Sequence, residues 1–232
     1  MENKVVRFFD SIAPKYDLIN KIASFGIDRR WREVGGEMLL SRLPKRAKIG
    51  DLAIGTGEMA EVLLRKGERE GISLQLIGID PSRGMLEVAR RRLDRWGEQV
   101  QLKVGWGEKL PMEGEGLEGV SIGFGLRNYR DPIQGVREIY RVLKPGGHFL
   151  VLEFFRGRGG VRKVVDLYTS HFLPFLGGKL AGNREAYSYL ATSIANFYTI
   201  EEFLEIVEWV GFSPVEERRF NFGQVGILLF KK

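Results

Sequence analysis

Two aspartates and a run of closely spaced glycines are the first residues in this chain whose types and spacing suggest chemistry. Gly55-x-Gly57-x-x-Ala60 follows a short apolar run, Ile49 to Ile54, and Asp80 closes the next apolar run, 23 residues beyond Gly57. Glycines at that spacing let a backbone turn approach a ligand, and an acidic residue at the end of the next strand accepts from ribose hydroxyls. Asp51 decides which nucleotide-like ligand fits. It precedes Gly55 by four residues, beside the crevice where a dinucleotide would set its pyrophosphate, and a carboxylate there repels phosphate. A nucleoside with an ammonium and a sulfonium but no phosphate is attracted instead. S-adenosylmethionine is therefore the expected ligand, and a nicotinamide cofactor the lesser alternative. Asp51 or its hydration shell is expected to hold the amino group and Asp80 the ribose, while Ala53, Gly55 and Gly57 let the backbone approach. Tyr140-x-x-x-Lys144 imitates the catalytic pair of short-chain dehydrogenases. Tyr140, however, falls on the apolar face of a helix and Lys144 in its last turn, where a cation suits the dipole, so both are read as structural.

These residues need strand ends and helix starts to hold them, and the hydrophobic pattern supplies both. Apolar strands are expected at 49–54, 74–80, 100–104, 119–124 and 148–154. Helices are expected between them, from Met59 to Lys66, after Pro81-Ser82, and from Asp131, which can cap a helix opened by Pro132. Strands alternating with helices imply a parallel sheet covered on both faces. Thr199 with Glu202 reads as a capping box, Phe203, Ile206, Val207 and Val210 as a helix face ended by Gly211, and 214–220 with 224–230 as a terminal hairpin.

The 232 residues suit a single domain spanning 1–232. Its expected parts are an N-terminal helical cap (1–46), a cofactor-binding core (47–154), a substrate lid insertion (155–198), and a C-terminal helix with a β-hairpin (199–232). Apolar residues make up 44%, enough for one sizeable core, and the absence of cysteine excludes disulfides, thiolate metal sites and cysteine nucleophiles. Only His148 and His171 are present, so no histidine-based metal site is expected. No apolar run approaches a membrane span and the N-terminus carries no signal-like stretch, from which a cytoplasmic protein is expected. The net charge of +6 leaves an anionic partner open.

The chain closely resembles the ubiquinone/menaquinone biosynthesis C-methyltransferases. The resemblance runs through Phe9-Asp-Ser-Ile-Ala-Pro-Lys-Tyr-Asp17 with Asn20, Ser24 and Trp31, then Asp51-Leu-Ala-Ile-Gly-Thr-Gly57 and Phe124-Gly-Leu-Arg-Asn128. It continues through Arg141-Val-Leu-Lys-Pro-Gly-Gly147, Leu152-Glu-Phe154, Tyr168 to Pro174 and Tyr187-Ser-Tyr-Leu-Ala-Thr-Ser-Ile194. Departures are Ile19 for methionine, Asp28 for histidine, Phe155 for serine, and Trp106-Gly107 where the family has Asn-Ala or Asp-Ala, the pair expected at adenine. Trp106 offers a stacking face, but a side-chain acceptor for the purine amino group is lost.

The resemblance implies an α/β fold, the Rossmann-like class I S-adenosylmethionine-dependent methyltransferase, with a seven-stranded, mostly parallel sheet and an antiparallel last strand. It implies ring methylation of a prenylated quinol, either demethylmenaquinol or a benzoquinol. The cofactor site is expected to comprise Tyr16, Asp51, Ala53, Gly55, Thr56, Gly57, Asp80, Pro81, Met85, Trp106, Gly107 and Gly123. Arg127 is assigned to stabilising a phenolate, Asn128 to orientation and His171 to proton removal, with Tyr187 and Tyr189 lining the substrate wall. Asp17 is expected near the sulfonium. Arg156, Arg158, Arg162 and Lys163, followed by an apolar run, suggest peripheral contact with the inner face of a membrane, and a homodimer is an open possibility. A methyltransferase acting on RNA or another small molecule is the rival reading. No flipped-base motif of the Asn/Asp-Pro-Pro-Tyr type or appended nucleic-acid module supports the RNA version, so no nucleic-acid partner is expected. A non-catalytic binding protein rests on Trp106 alone.

Overall fold

The computed structural model describes residues 2–24, 26–157 and 184–232. Helices α1 (Glu2–Ile12), α2 (Tyr16–Ala23) and α3 (Asp28–Leu40) precede the first strand, with a 3-10 turn, Ala13–Lys15, between the first two. Strands and helices then alternate as the periodicity predicts: β1 (Arg46–Leu52), α4 (Glu58–Glu70), β2 (Ser73–Asp80), α5 (Arg83–Leu93), β3 (Val100–Val104), β4 (Leu117–Gly123), α6 (Pro132–Val142) and β5 (Leu143–Phe154). Then come α7 (Arg184–Ala195), α8 (Ile200–Val210), β6 (Ser213–Phe220) and β7 (Val225–Lys231).

Local signals fix most of these boundaries. Asp131 Oδ1 accepts from the Gln134 amide at 3.0 Å, and Pro132 opens α6. Thr199 and Glu202 close a full capping box on α8, which ends at Gly211 in the left-handed conformation. Lys144 departs from expectation. Helix α6 stops at Val142, and Lys144 lies in β5, where its ammonium pairs with Glu118 rather than with a helix terminus. Tyr140 packs edge-on against Phe212, with ring centroids 5.0 Å apart.

The strands form one sheet in the order β3-β2-β1-β4-β5-β7-β6. Neighbours from β3 to β5 pair in parallel, and β7 runs antiparallel between β5 and β6. Each central strand is apolar on both faces. Leu150 and Leu152 of β5 point with Ile227 and Leu229 of β7 into one core, against Trp31, Leu39, Met59 and Leu63. Phe149 and Val151 point with Leu228 and Phe230 into the other, against Val136, Ile139, Phe203 and Val207. Thus α3 and α4 cover one face, and α6 and α8 the other.

Strand order reverses between β1 and β4, and there the loops after their carboxyl ends open a crevice. The two loops cross in near contact. Ala53, just past β1, is held at φ +49°, a conformation that costs a residue with a Cβ about 1 kcal/mol. A Cβ added at Gly125, just past β4, would collide with the Cβ of Ala53. Neither atom sits on a flexible side chain, so relief requires backbone movement. Gly125→Ala is therefore expected to destabilise the fold by about 1–3 kcal/mol in urea denaturation and to weaken any ligand held in the crevice. Unchanged stability and binding would show that the loop crossing does not shape the site.

Candidate functional site

The crevice is a cleft of about 890 Å³, a space that includes the solvent at its open mouth. Its floor is Asp51, fully buried at the end of β1. The Ser121 hydroxyl, on the adjacent strand β4, donates to Oδ1 of Asp51 at 2.6 Å, while Oδ2 has no hydrogen-bond partner among the described residues. Burial pushes the Asp51 carboxyl up to about 7, against the downward pull of the Ser121 bond, the Arg32 guanidinium and the nearby Ala60 backbone amide.

Asp80 ends β2 and stands across the glycine turn. Its Oδ2 accepts from the Gly55 amide and its Oδ1 from the Ser82 amide, each at 2.9 Å. The carboxylate thus ties the first loop to the start of α5. Burial raises its pKa to about 6 despite these two bonds.

The cleft is lined by Tyr16, Asp51, Ala53, Gly55, Thr56, Asp80, Pro81, Met85, Trp106, Gly107 and Gly123, all predicted from sequence, and by Asn128. Gly57 is an exception. It caps α4 at φ +86°, and a Cβ there would press on Leu93 and Ala89 of α5, so this glycine serves helix packing rather than the cleft wall. Asp17 also departs from expectation. It accepts from the Thr56 hydroxyl at 2.6 Å and pairs with Arg92, so its charge is spent outside the cleft, latching α2 to the glycine turn. A second latch joins α1 to the start of α5, where Asp10 accepts from the Ser82 hydroxyl at 2.6 Å and the Gly84 amide at 2.9 Å.

Arg127 lies off the cleft surface. Its side chain is 6% exposed and pairs at 2.6 Å with Glu153, which is 0% exposed. The same guanidinium donates to the Phe124 carbonyl at 2.6 Å and the Ser193 hydroxyl at 3.2 Å. Its charge is neutralised and its donors largely committed, so direct phenolate stabilisation gives way to a positioning role: it joins the β4 loop, β5 and α7. Asn128 does face the cleft, with Oδ1 accepting from the Tyr189 hydroxyl at 3.0 Å. Tyr189 in turn packs against Phe8 and Phe9 of α1, at 5.0 and 6.0 Å between centroids. Tyr187 falls in the first turn of α7, its side chain outside the described set, and His171 lies outside the described residues altogether.

Sequence reasoning missed two buried groups of the wall. Arg32, one residue beyond the motif residue Trp31, donates to Glu58 at 2.8 Å and sits 5.1 Å over the Phe124 ring; its Nε has no hydrogen-bond partner among the described residues. Tyr129, next to Asn128, also lines the cleft.

An unpartnered, desolvated carboxylate oxygen is suited to an ammonium, and Asp80 with the glycine turn to a ribose, so the residues present fit S-adenosylmethionine. The sign of the pH dependence follows from Asp51. Its pKa is raised from 3.8 to about 7, so the stability contributed by its neutral form is present in full below 3.8 and lost as pH rises through about 7. Ligand-free protein should melt lower at about pH 8 than at about pH 6, less so in Asp51→Asn, while affinity for an ammonium-bearing ligand rises over the same interval. Titration calorimetry at both pH values checks this, and an affinity independent of pH in the parent would remove Asp51 from the ammonium.

Comparison with known proteins accords with this geometry. Residues 1–232 match the model of the ubiE/COQ5 methyltransferase family. The chain is 37% identical to a ubiquinone/menaquinone biosynthesis C-methyltransferase of Campylobacter jejuni, over 100% of this chain and 98% of that protein. It is 38% identical to a demethylmenaquinone methyltransferase of Thermotoga maritima, over 97% and 94%. A solved S-adenosylmethionine-dependent methyltransferase of Thermotoga maritima, described as a possible histamine N-methyltransferase, superposes with a TM-score of 0.65 at 18% identity, covering 97% of this chain and 99% of that one, and so shares the fold. With the two buried aspartates at the glycine turn in accord, the full-length match makes this chain a member of the ubiE/COQ5 methyltransferase family, an S-adenosylmethionine-dependent enzyme.

Proposed function

We propose that the enzyme methylates a ring carbon of a prenylated quinol in menaquinone or ubiquinone biosynthesis. One observation carries this reading beyond methyl transfer in general. The segments most specific to the quinol methyltransferase resemblance, far apart in sequence, meet beside the cleft: Phe9 packs edge-on against Tyr189, Tyr189 bonds Asn128, and Arg127 bonds Ser193.

The chemistry follows from the substrate's redox state. A quinone ring is electrophilic, whereas loss of a phenolic proton from a quinol places negative charge on the adjacent ring carbon. When bound, S-adenosylmethionine supplies an electrophilic methyl on a sulfonium. The ring carbon would take up that methyl as its bond to sulfur broke, and the proton on the same carbon would then leave to restore aromaticity. The protein's share is alignment. The Asn128 amide is held by Tyr189 on its oxygen, and its Nδ2 has only a long 3.4 Å contact with the Phe124 carbonyl, leaving a donor for a phenolic oxygen. Phe9 and Tyr16 present ring faces, and Arg127 holds Phe124 and Ser193 in register.

The same reading brings the enzyme to a bilayer surface, where a prenylated substrate resides. Among the described residues no helix is long and apolar enough to cross a membrane. Of the four basic residues assigned to surface contact, Arg156 is committed to both carboxylate oxygens of Glu202, at 2.7 and 2.8 Å. That correction leaves Arg158, Arg162 and Lys163, which lie outside the described residues.

Under anaerobic conditions, turnover is expected with the quinol and not with the quinone, and mass spectrometry should find one added methyl on the ring. Equal turnover of both forms would overturn the carbon-nucleophile mechanism. Reversing the charges of Arg158, Arg162 and Lys163 is expected to reduce co-sedimentation with anionic liposomes and turnover of long-tailed quinol, since each basic residue near such a surface is worth about 1 kcal/mol. A short-tailed soluble analogue should react normally; equal slowing of both substrates would assign these residues to the catalytic fold.

A further inference from the structure

The departure at Trp106-Gly107 coincides with an unusual arrangement around Tyr129. A Cβ at Gly107 would overlap the hydroxyl and ring of Tyr129, and a Cβ at Gly135, in the first turn of α6, would fall 2.5 Å from its Cδ2 and 2.6 Å from its Cε2. Two glycines from separate elements thus form a slot that fits this ring. The slot is held in register by the Arg130 amide, which donates to Glu108 at 2.8 Å and so ties the Tyr129 loop to the Trp106–Gly107 loop.

The hydroxyl at the end of the slot is shut off from solvent and has no hydrogen-bond partner among the described residues, although Tyr129 lines the cleft. Leaving a buried hydroxyl unpaired costs roughly 1–3 kcal/mol, so a position that retains one invites a ligand atom as partner. Burial and the acidic neighbours Glu108, Asp80 and Asp51 push the Tyr129 pKa well above its usual value, so the group stays protonated and can both donate and accept. Proximity to Asp80, the ribose residue, and to Trp106 places it at the nucleoside end of the cleft.

We propose that the Tyr129 hydroxyl hydrogen-bonds the polar edge of the cofactor's purine, making in this chain the contact that Trp106 and Gly107 cannot provide. Trp106, 37% exposed, remains free to cover the ring face. The proposal rests on the S-adenosylmethionine-dependent reading and assigns one residue of that site.

Tyr129→Phe keeps the ring in its glycine slot and removes only the hydroxyl. Calorimetric titration of parent and variant with S-adenosylhomocysteine, and separately with adenosine, should show about a five- to ten-fold rise in Kd for both ligands. The melting temperature of the ligand-free variant should equal or exceed that of the parent, because an unpartnered buried hydroxyl has been removed. Three results would overturn the proposal: Kd values within about twofold of the parent's, a ligand-free variant that melts several degrees lower, or a loss confined to S-adenosylhomocysteine with adenosine unaffected. Failure of the parent itself to bind S-adenosylhomocysteine would overturn the cofactor reading and this assignment with it.

Discussion

A buried carboxylate with only one of its oxygens hydrogen-bonded is expensive, and the architecture around Asp51 follows from tolerating one. Ser121 donates to its Oδ1, its Oδ2 has no hydrogen-bond partner among the described residues, and its pKa, raised to about 7, records the cost of ionising it in that place. Arg32 lies near enough to lower that cost but is already paired with Glu58 at 2.8 Å and Asp28 at 3.8 Å. Acidic groups therefore outnumber the cation at the cofactor end of the cleft, which holds a field that favours a positively charged ligand and disfavours a phosphate. A cationic ligand there would stabilise the ionised carboxylate, so the residue that strains the ligand-free fold is the one whose chemistry suits such a ligand.

The glycine turn places that carboxylate, and the N-terminal helices enclose it. Each helix is fastened to the nucleotide-binding loops by one aspartate, Asp10 of α1 at Ser82 and Gly84, and Asp17 of α2 at Thr56 and Arg92. These links are partly exposed and of the kind that contributes modestly to stability, in contrast to the apolar packing of α3 against α4 and the sheet. Helices α1 and α2 thus close the cleft through a few separable polar bonds, while α3 belongs to the covering layer.

The alternation of strands and helices, the capped helix starts and the ligand type were legible because each depends on residues close in sequence. Short apolar runs, Asp131 before Pro132, the Thr199–Glu202 box and Asp51 before the glycines all signal locally. Partners that depend on strand register were not legible. Arg127 reaches Glu153 because β4 and β5 pair with Gly123 opposite Leu152, which brings the residue after Leu152 beside the loop after β4. Spacing along the chain carries no trace of that 26-residue separation. The Arg156–Glu202 and Lys144–Glu118 pairs escaped notice for the same reason. Tyr129 had a faint signal in the missing Cβ of Gly107, since a glycine replacing alanine beside a ligand implies that something else occupies the space.

The Arg127–Glu153 pair also shapes how the substrate wall works. With the Arg127 guanidinium neutralised beneath the surface, the part of the wall formed by Phe9, Tyr16 and Asn128 presents rings and an amide dipole, the cation Arg32 being paired with Glu58. Such a wall suits a neutral quinol with an apolar tail better than a fixed cation would, because a cation there would have to be desolvated with each prenylated substrate. Removing the Arg127 side chain would leave Glu153 charged and unpaired in the core, a loss of several kcal/mol that would disorganise Phe124, Asn128 and Ser193 together. Inactivity after such a truncation therefore cannot identify Arg127 as a group that touches the substrate. Asn128 lines the cleft and bonds Tyr189, whereas Arg127, buried beneath it, fixes the Phe124 carbonyl and Ser193.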